Sequence, residues 1–223
     1  MTPSSTSTLQ PTTYQGQFGE FTITERDRQA VLIYRGGLTV AALSCVAAAT
    51  IALWPSTDLD HLQWVSLAYS LFCVSLGVSL LTIHVYMKSL HRALQVFWLV
   101  GVLASLAIAH FSPAPFALTV YQQPLTILGV GFVFAALTGI YFKEAFCFDR
   151  LETKILTPLV PTLLLGHLVG ILPLAIERYL VLTWAVFFAI FALRKVIQPI
   201  PPDIGDKSVF AYLHQLKQQK AAS

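Results

Sequence analysis

The stretch TGIYFKEAFCFDRLETKILTPLVPTLLLGHLVG, residues 138–170, decides the fold, because it places the densest group of charges in the chain beside apolar segments of membrane-crossing length. Residues 143–154 carry the charges, whereas residues 155–170 are apolar, are interrupted by prolines and glycines, and include His167. Charged side chains are costly inside a bilayer, so residues 143–154 are expected to connect two membrane helices outside the hydrocarbon. The rest of the chain is expected to be membrane scaffold around this helical hairpin.

The composition of the whole chain indicates a membrane protein. Of its 223 residues, 56% are hydrophobic and 11% are charged, whereas about a quarter of the residues of a soluble domain are charged. The formal net charge of +3 is too small to favour a nucleic-acid partner. We therefore expect an all-α protein whose surroundings are the lipid bilayer.

Six apolar segments approach the roughly twenty residues that a helix needs to cross the hydrocarbon of a bilayer. They predict a polytopic bundle of six transmembrane helices in one domain, residues 24–197. The proline-rich segment 112–124 is expected to be a loop that returns the chain to the membrane. The predicted spans, numbered one to six in chain order, are residues 37–54, 63–86, 94–111, 125–142, 155–175 and 179–196.

Both ends of the chain are expected to lie outside the bilayer. Residues 1–23 are rich in Ser and Thr and poor in charge, which favours a disordered tail. Thr24 followed by Asp27 is typical of a helix start, so a short helix is expected to lead into the first span. Residues 198–223 begin with prolines and continue with apolar and basic residues at helical spacing, which predicts a spacer and a short amphipathic helix. A partner-binding tail is the alternative.

The distribution of basic residues predicts the orientation. With six spans, all of the fourteen Lys and Arg residues except Arg178 fall on one side of the membrane. Basic residues in short loops favour the cytoplasmic side. Both termini and residues 143–154 are therefore predicted to be cytoplasmic, and the protein is expected in the plasma (inner) membrane or the thylakoid membrane.

Small residues at four-residue spacing indicate where helices pack, because small side chains let membrane helices approach closely. Such residues occur in the third, fourth and fifth predicted spans, and packing within one chain is favoured over self-association. The predicted packing residues are Gly101, Ser105, Gly131, Ala135, Gly139, Gly166 and Gly170.

One candidate polar site lies at the cytoplasmic end of the fourth span. Lys143 and Glu144 are expected to end this helix and to share a pocket with His84 and Tyr141. Such a pocket could bind a phosphate or carboxylate head group. Snorkelling of the charged side chains to the interface is the alternative interpretation.

The second candidate is His167, the most deeply placed titratable residue of the predicted bundle. A buried histidine is usually a hydrogen-bonded packing residue, and His110 near the outer end of the third span is its expected partner. Haem ligation would need both histidines at one depth, and His110 lies nearer the outer surface, so no cofactor is predicted. No spacing of potential ligands predicts a metal site, and no catalytic motif is found.

Two segments resemble a known family. GIYFKEAFCF, residues 139–148, and PTLLLGH, residues 161–167, are similar to segments of a family of uncharacterised, multi-pass integral membrane proteins of cyanobacteria and plastids. The resemblance covers most of the chain, from about Tyr34 to Val196. This family has no established activity, so the resemblance implies only a setting, which is a photosynthetic cell and its thylakoid or plasma membrane.

These observations favour a non-enzymatic accessory or assembly partner of a larger membrane complex, which would be contacted through residues 143–154 and the C-terminal helix. The alternative is a transporter of a small molecule or ion with a site between the third, fourth and fifth spans, formed by His110, His167 and Glu144. A membrane enzyme that acts on lipid or pigment is a third hypothesis.

Overall fold

A computed structural model describes residues 12–54, 61–85 and 87–222 of the chain. The protein is mostly helical and divides into two compact units, a bundle, Ile33–Gln198, and a terminal unit, Met1–Leu32 with Pro199–Ser223. The strands are β1 Thr12–Gly16 and β2 Gly19–Ile23. The helices are α1 Glu25–Leu53, α2 His61–Thr82, α3 Lys88–Phe111, α4 Phe116–Gln122, α5 Ile127–Phe148, α6 Leu151–Leu168, α7 Leu174–Ile197, α8 Pro201–Ile204 and α9 Ser208–Ala222.

Within the described residues, five helical segments are long and apolar enough to cross a membrane. They are α1, α2, α3, the segment Pro124–Phe148 that contains α5, and α7. The protein is therefore an integral membrane helix bundle, as its composition predicts. The fifth predicted span corresponds to α6, which has 18 residues, includes Glu152 and Lys154 and extends about 27 Å. A sixth crossing through α6 stays a prediction.

The bundle packs around one apolar core. Leu38 of α1, Leu76 of α2, Leu137 of α5, Leu156 of α6 and Phe188 of α7 are completely buried and belong to the same cluster. The shorter helix α6 therefore packs one face on this core, through the same kind of apolar contacts as the longer helices, while Leu151 and Leu165 are exposed.

The connection between α5 and α6 is shorter than predicted. The fourth span was expected to end at residue 142 and a loop to cover residues 143–154, whereas α5 continues to Phe148 and α6 begins at Leu151. Asp149 ends α5 in the left-handed conformation, with φ of 51°, and its N–H bonds the Ala145 carbonyl at 3.1 Å. A two-residue turn therefore replaces the predicted loop, and the charged residues on either side of it are helical.

The turn between α6 and α7 also corrects the predicted spans. The fifth span was expected to reach residue 175, whereas α6 ends at Leu168. Gly170 has φ of 69°, and the Ile171 N–H bonds the Gly166 carbonyl at 3.1 Å, which is the bonding that stops a helix at a left-handed glycine. Pro173 then precedes the first residue of α7, Leu174, so the sixth span begins five residues earlier than predicted.

The start of α1 confirms the predicted helix cap and corrects the boundary of the first span. The Thr24 hydroxyl accepts a hydrogen bond from the Asp27 N–H at 3.2 Å, and the Asp27 carboxylate accepts one from the Thr24 N–H at 2.8 Å. These reciprocal bonds satisfy backbone donors that a helix start leaves unpaired. The expected short helix and the first span are one continuous helix, because Gly36 and Gly37 are both accommodated within α1.

Other boundaries also differ from the predicted ones. α3 begins at Lys88 rather than residue 94. The predicted loop 112–124 contains the seven-residue helix α4, which Pro115 precedes as N-cap. The second span was predicted to end at Tyr86, which lies outside the described residues, whereas α2 ends at Thr82.

The terminal unit corrects the prediction of a disordered tail. β1 and β2 pair as an antiparallel hairpin in which Thr12 lies opposite Ile23 and Gly16 lies opposite Gly19. Tyr14 and Phe21 are also paired, with ring centroids 5.7 Å apart, and this packing of alternate residues stabilises a hairpin. The disordered tail was therefore wrong for residues 12–23, while residues 1–11 lie outside the described part of the chain.

The C-terminal helix of the predicted architecture is present as α9. Its residue Tyr212 stacks on Phe18 of the hairpin turn, with ring centroids 4.1 Å apart. Asp206 accepts a hydrogen bond from the Gln17 N–H at 2.7 Å, and Ser208 Oγ accepts one from the Phe18 N–H at 3.0 Å. The two ends of the chain therefore form one packed unit. Whether α9 lies on a bilayer stays a prediction.

Candidate functional site

A cavity of about 790 Å³ lies in the bundle where the ends of several helices meet. Its walls are formed by six parts of the bundle, namely the end of α1, the start of α2, α4, the start of α5, the end of α6 and the start of α7. Cavities that bind small molecules in proteins are typically about 300–1,000 Å³ and mostly apolar, with a few polar groups. The walls here are mainly apolar and aromatic, and the titratable or charged residues among them are His61, Tyr69, Tyr121, His167, Glu177 and Arg178.

His167 is held between two oxygen acceptors at this cavity. Its Nδ1 lies 2.6 Å from Oε1 of Glu177, and its Nε2 lies 3.1 Å from the backbone carbonyl oxygen of Tyr121. The Tyr121 ring stacks on the imidazole with centroids 5.0 Å apart. The side chains of His167 and Glu177 are 16% and 12% exposed, so the pair is screened from bulk solvent but reachable from the cavity.

The turn between α6 and α7 brings this pair together. His167 lies three residues before Gly170, and Glu177 lies four residues after Pro173. Because Gly170 reverses the chain and Pro173 starts the next helix, the last turn of α6 faces the first turn of α7. The pair therefore depends on a local chain reversal.

Tyr121 completes the group from the short helix α4. Its hydroxyl donates a long hydrogen bond to Oε2 of Glu177 at 3.5 Å. Partial burial raises the pKa of the Tyr121 hydroxyl, and the negative charge of Glu177 is the second largest cause of this increase. The phenol therefore stays a neutral donor, and the carboxylate of Glu177 is contacted from both α4 and α6.

A second polar cluster lies around Glu144, which is completely buried in α5. Its Oε1 accepts hydrogen bonds from the Tyr34 hydroxyl at 3.1 Å and from Lys143 Nζ at 2.9 Å. Its Oε2 lies 2.7 Å from Nζ of Lys195, whose side chain is also fully buried. One carboxylate thus joins α1, α5 and α7. The spacing of thirteen residues along α5 places it about 20 Å from Gly131 in the cavity wall.

Phe148 lies beside the cations of this cluster. Nζ of Lys195 is 4.1 Å from the ring centroid, and Nζ of Lys143 is 5.5 Å from it. The guanidinium of Arg150 is 5.6 Å from the same centroid, and its Nη2 donates to Oε1 of Gln198 at 2.6 Å. The ring face attracts cations, and the attraction increases when the cation is shielded from water. The cluster is therefore stabilised by both a carboxylate and an aromatic ring.

The other predicted polar residues are more dispersed. Tyr141 is buried one helical turn before Glu144, and its hydroxyl accepts a hydrogen bond from the Trp184 indole at 3.2 Å. His84 follows α2 and is half-buried. His110 is exposed on α3, where its ring packs edge-on against Phe111, and it is not among the described residues that line the cavity. The structure thus brings Lys143 to Glu144, but it pairs His167 with Glu177.

Some of the predicted packing residues lie at close helix contacts. A Cβ atom at Gly101 of α3 would clash with the backbone of Val133 in α5, and one at Gly139 would clash with Leu94. Ser105 is buried, and its hydroxyl lies 2.8 Å from that of Tyr69. A Cβ atom at Gly166 would come within 2.5 Å of Leu172 in the following turn. These contacts pack α3 on α5 and the end of α6 on its own turn.

The remaining three predicted packing residues have surroundings that differ from these helix contacts. Gly131 lines the cavity, where a Cβ atom would come no closer than 3.4 Å to a described atom, Cγ2 of Ile127. Ala135 is exposed. Gly170 supplies the left-handed turn and is also exposed.

Sequence reasoning missed four residues that complete these sites, namely Glu177, Tyr121, Tyr34 and Lys195. Glu177 follows a left-handed glycine and a proline, which are stop and start signals for helices, so the reversal next to His167 was a signal available in the sequence. Tyr34 and Lys195 lie far from Glu144 in the chain, and no local pattern indicates that contact.

Metal and cofactor binding were also considered from the donor atoms. Within the described ranges, no three His, Cys, Asp or Glu side chains come together as a metal ion would require. Both nitrogens of His167 already face oxygen atoms, so ligation through either nitrogen would break the contact that this nitrogen makes. The contacts that the structure shows at this site are hydrogen bonds among His167, Glu177 and Tyr121.

Comparisons with known proteins agree with the membrane architecture. A family described as "Uncharacterized integral membrane protein (DUF2301)" matches residues 78–212. A protein of Haemophilus influenzae with the name "Uncharacterized protein" is 28% identical over 184 residues, which cover 82% of this chain and 91% of that relative. No solved structure matches the chain. The similarity to a Haemophilus protein does not support the predicted restriction to cyanobacteria and plastids, and a thylakoid location stays a prediction.

Proposed function

The chain belongs to this family of uncharacterised integral membrane proteins, and we propose that it binds a small amphipathic molecule in its cavity and carries that molecule across the membrane. The observation that carries the proposal is the cavity of about 790 Å³, which has apolar and aromatic walls and a partly buried acid–histidine pair. An apolar wall accommodates the body of a ligand, and a few polar groups orient its head.

A second, smaller cavity extends the site toward the interior of the bundle. It has a volume of about 200 Å³, shares Tyr69, Phe134 and Val181 with the first cavity, and is also lined by Trp184. Trp184 bonds Tyr141, which lies one helical turn from Glu144. The smaller cavity therefore reaches Trp184, whose partner Tyr141 is completely buried, and this direction toward the Glu144 cluster supports a transport route.

In this proposal the protein crosses the membrane six times, with α6 as the short crossing element and both termini in the cytoplasm. The cavity would then lie at the outer side, because the end of α1 and the starts of α2 and α7 line it. The Glu144 cluster would lie near the cytoplasmic side, where basic residues are favoured. The pair of His167 and Glu177 would face the incoming molecule, and the Glu144 cluster would connect three helices at the opposite end.

The test is ligand-dependent thermal stabilisation of the purified protein in mild detergent. A ligand that binds the folded state raises the unfolding temperature. We expect a screen of amphipathic small molecules to stabilise the wild type. Gly131→Phe, which places a ring in the cavity, should abolish the stabilisation.

The matched control is Gly36→Phe. Gly36 is an exposed glycine in α1, and no described atom lies within 4 Å of a Cβ atom built there. This variant should respond to ligands as the wild type does. An equal response of Gly131→Phe and the wild type would contradict the proposal.

The accessory role predicted first from the sequence stays the alternative. Its signature is a stoichiometric membrane-protein partner that is retained through purification in the same detergent. A lone, monodisperse protein that ligands stabilise supports transport instead. One preparation therefore decides between the two functions.

A further inference from the structure

We infer that the cavity binds an organic cation and that the cation exchanges with a proton held by His167. This inference rests on the proposed function and names its substrate class. The site that supports it consists of an imidazole between two acceptors, beside a buried carboxylate in an aromatic cavity.

Each of the two His167 contacts needs one proton between the ring nitrogen and its oxygen partner. A backbone carbonyl oxygen only accepts hydrogen bonds, so the contact from Nε2 to Tyr121 requires Nε2–H. An ionised carboxylate also only accepts, so the contact of 2.6 Å from Nδ1 to Glu177 requires Nδ1–H. Both contacts are satisfied together by an imidazolium beside a carboxylate, or by the same proton resting on Glu177. The empty site therefore holds one exchangeable proton between two residues.

The wall of the cavity is suited to a cation with an apolar body. Aromatic faces attract organic cations, most strongly where water is excluded. A carboxylate beside such faces adds charge complementarity. The aromatic residues of the wall are Trp54, Tyr69, Phe116, Tyr121 and Phe134.

The other titratable and charged groups of the wall do not offset this preference. Among the described lining residues, Glu177 is the one carboxylate. Arg178 on α7 is exposed, which weakens its charge interactions, although its charge still acts on the Tyr121 hydroxyl, where it offsets part of the increase in pKa that burial causes. Tyr121 on α4 and Tyr69 on α2 are phenols, and His61 begins α2 at the edge of the wall. His167, which lies 2.6 Å from Glu177, is thus the group whose contact with the carboxylate a bound cation would replace.

Exchange keeps the charge of the site constant. When a cation pairs with the Glu177 carboxylate, His167 no longer needs to donate from Nδ1. It releases that proton to solvent and keeps Nε2–H on the Tyr121 carbonyl. One positive charge enters and one leaves, so the partly buried pair is never left with an uncompensated charge, which would be costly. Binding of the cation is therefore coupled to release of one proton.

Two ions of the same shape and opposite charge provide the experiment. Tetraphenylphosphonium and tetraphenylborate are titrated calorimetrically into wild-type protein in detergent, in two buffers with different ionisation enthalpies. The buffer dependence of the heat gives the number of protons released per bound ion. We expect the phosphonium to bind with release of about one proton from an imidazolium, and we expect the borate to bind at least about tenfold more weakly.

Variants test the release of the proton and binding in the cavity separately. His167→Gln should still bind the phosphonium but release no proton, whereas Glu177→Gln should weaken binding at least about tenfold because the counter-charge is lost. Gly131→Phe should abolish binding and Gly36→Phe should retain it. Partition of the ions into detergent contributes equally to all variants and is subtracted with a titration into protein-free detergent.

The outcomes distinguish the two levels of the proposal. Binding of the phosphonium without proton release, or equal binding of the borate, would overturn cation–proton exchange while the cavity remains a binding site. Failure of both ions to bind the wild type would overturn the exchange, and so would unchanged phosphonium binding by Gly131→Phe. If the broader ligand screen also left the wild type unstabilised, the proposed function itself would be rejected.

Discussion

At the scale of single residues, Glu144 and Glu177 are two buried carboxylates with different partners. Glu144 faces two lysines and a tyrosine in the interior and is completely buried. Glu177 faces one histidine and a tyrosine at the edge of a cavity. The partners of Glu144 are enclosed in the interior, whereas the partners of Glu177 are reachable from the cavity. Glu144 is therefore suited to hold helices together, and Glu177 is suited to exchange a partner.

The role of Glu144 predicts a large effect on stability. Glu144→Gln removes the carboxylate charge that lies 2.7 Å from the ammonium of the buried Lys195, and loss of one partner of a buried ion pair costs about 3–5 kcal/mol. The free energy of unfolding, measured by denaturant titration in detergent, should fall by that amount. The double variant Glu144→Leu with Lys195→Met removes both charges and should recover at least half of the loss.

A surface pair is the control for this prediction. Asp149 pairs with Lys154 at 2.5 Å, but the Asp149 side chain is 87% exposed. Exposed pairs contribute about 0–1 kcal/mol, and Asn tolerates the left-handed conformation of this position. Asp149→Asn should therefore be close to neutral. A Glu144→Gln protein as stable as Asp149→Asn would show that the cluster does not hold the bundle.

Asp206 predicts a pH dependence in the terminal unit. Hydrogen bonds from Ser208 and from the Gln17 N–H hold the pKa of the Asp206 carboxyl below its usual range. A carboxyl with a depressed folded-state pKa stabilises the folded state above its unfolded pKa, and this contribution is lost as the pH falls through the folded pKa. The hydrogen-exchange protection of the Gln17 amide should therefore decrease below about pH 4.

The control for this pH dependence is Asp206→Asn. It should lower the protection of the Gln17 amide already at neutral pH and remove its dependence on acid. Protection that stays constant down to strongly acidic pH in the wild type would contradict the contribution of Asp206.

At the scale of secondary-structure elements, glycines with the same helical conformation have opposite surroundings. Gly36 and Gly37 are neighbours in α1. A Cβ atom at Gly37 would lie 2.5 Å from Oγ of Ser79 and 2.7 Å from the Ser75 carbonyl oxygen in α2, whereas Gly36 has no described atom within 4 Å. The backbones of α1 and α2 thus approach closely along one side of α1.

These neighbours predict a matched pair of substitutions. Gly37→Ala forces α1 away from α2 and should lower the free energy of unfolding by about 1–3 kcal/mol, as overpacking does. Gly36→Ala should be neutral or stabilise by up to about 1 kcal/mol, because alanine favours a helix over glycine. Thermal unfolding in detergent compares the two. A Gly37→Ala variant as stable as Gly36→Ala would contradict the close contact.

Sequence predicted the elements of this bundle better than their ends. Apolar length and composition identify the membrane helices, and Thr24 with Asp27 indicates the start of α1, because these signals are local. The sequence did not predict that α5 continues through the charged residues, because a charged segment was expected to lie outside the helix. In the structure this segment packs against α7 through the contact between Glu144 and Lys195. The pair of His167 and Glu177 was missed because it depends on the turn at Gly170. The expected partner of His167 was His110 on α3, whereas the observed partner is on α7.

At the scale of the whole molecule, two polar sites lie at opposite ends of one apolar bundle. The cavity with His167 and Glu177 lies where α1 ends, and the Glu144 cluster lies where α5 ends. The smaller cavity lies beside the larger one, and Trp184 in its wall bonds Tyr141, which lies one helical turn before Glu144. This arrangement is compatible with six crossings and with alternate access from the two sides of a membrane.

The orientation is tested by adding one exposed cysteine at a time to a variant whose exposed Cys147 is changed to Ser and whose Cys45 and Cys73 are buried. Asp149→Cys reports the turn between α5 and α6, and Arg178→Cys reports the start of α7; both original side chains are exposed. A membrane-impermeant maleimide added to intact cells should label Cys at 178 and should label Cys at 149 only after permeabilisation. Labelling of both from outside would contradict six crossings with cytoplasmic termini.

Transport by the cavity is the central claim, and proteoliposomes with an acidic interior test it most directly. Ethidium, a fluorescent organic cation, is added outside, and its uptake is followed as protons leave. The wild type and Gly36→Phe should accumulate ethidium, whereas Gly131→Phe and His167→Gln should not. Equal accumulation by Gly131→Phe and the wild type would contradict the account.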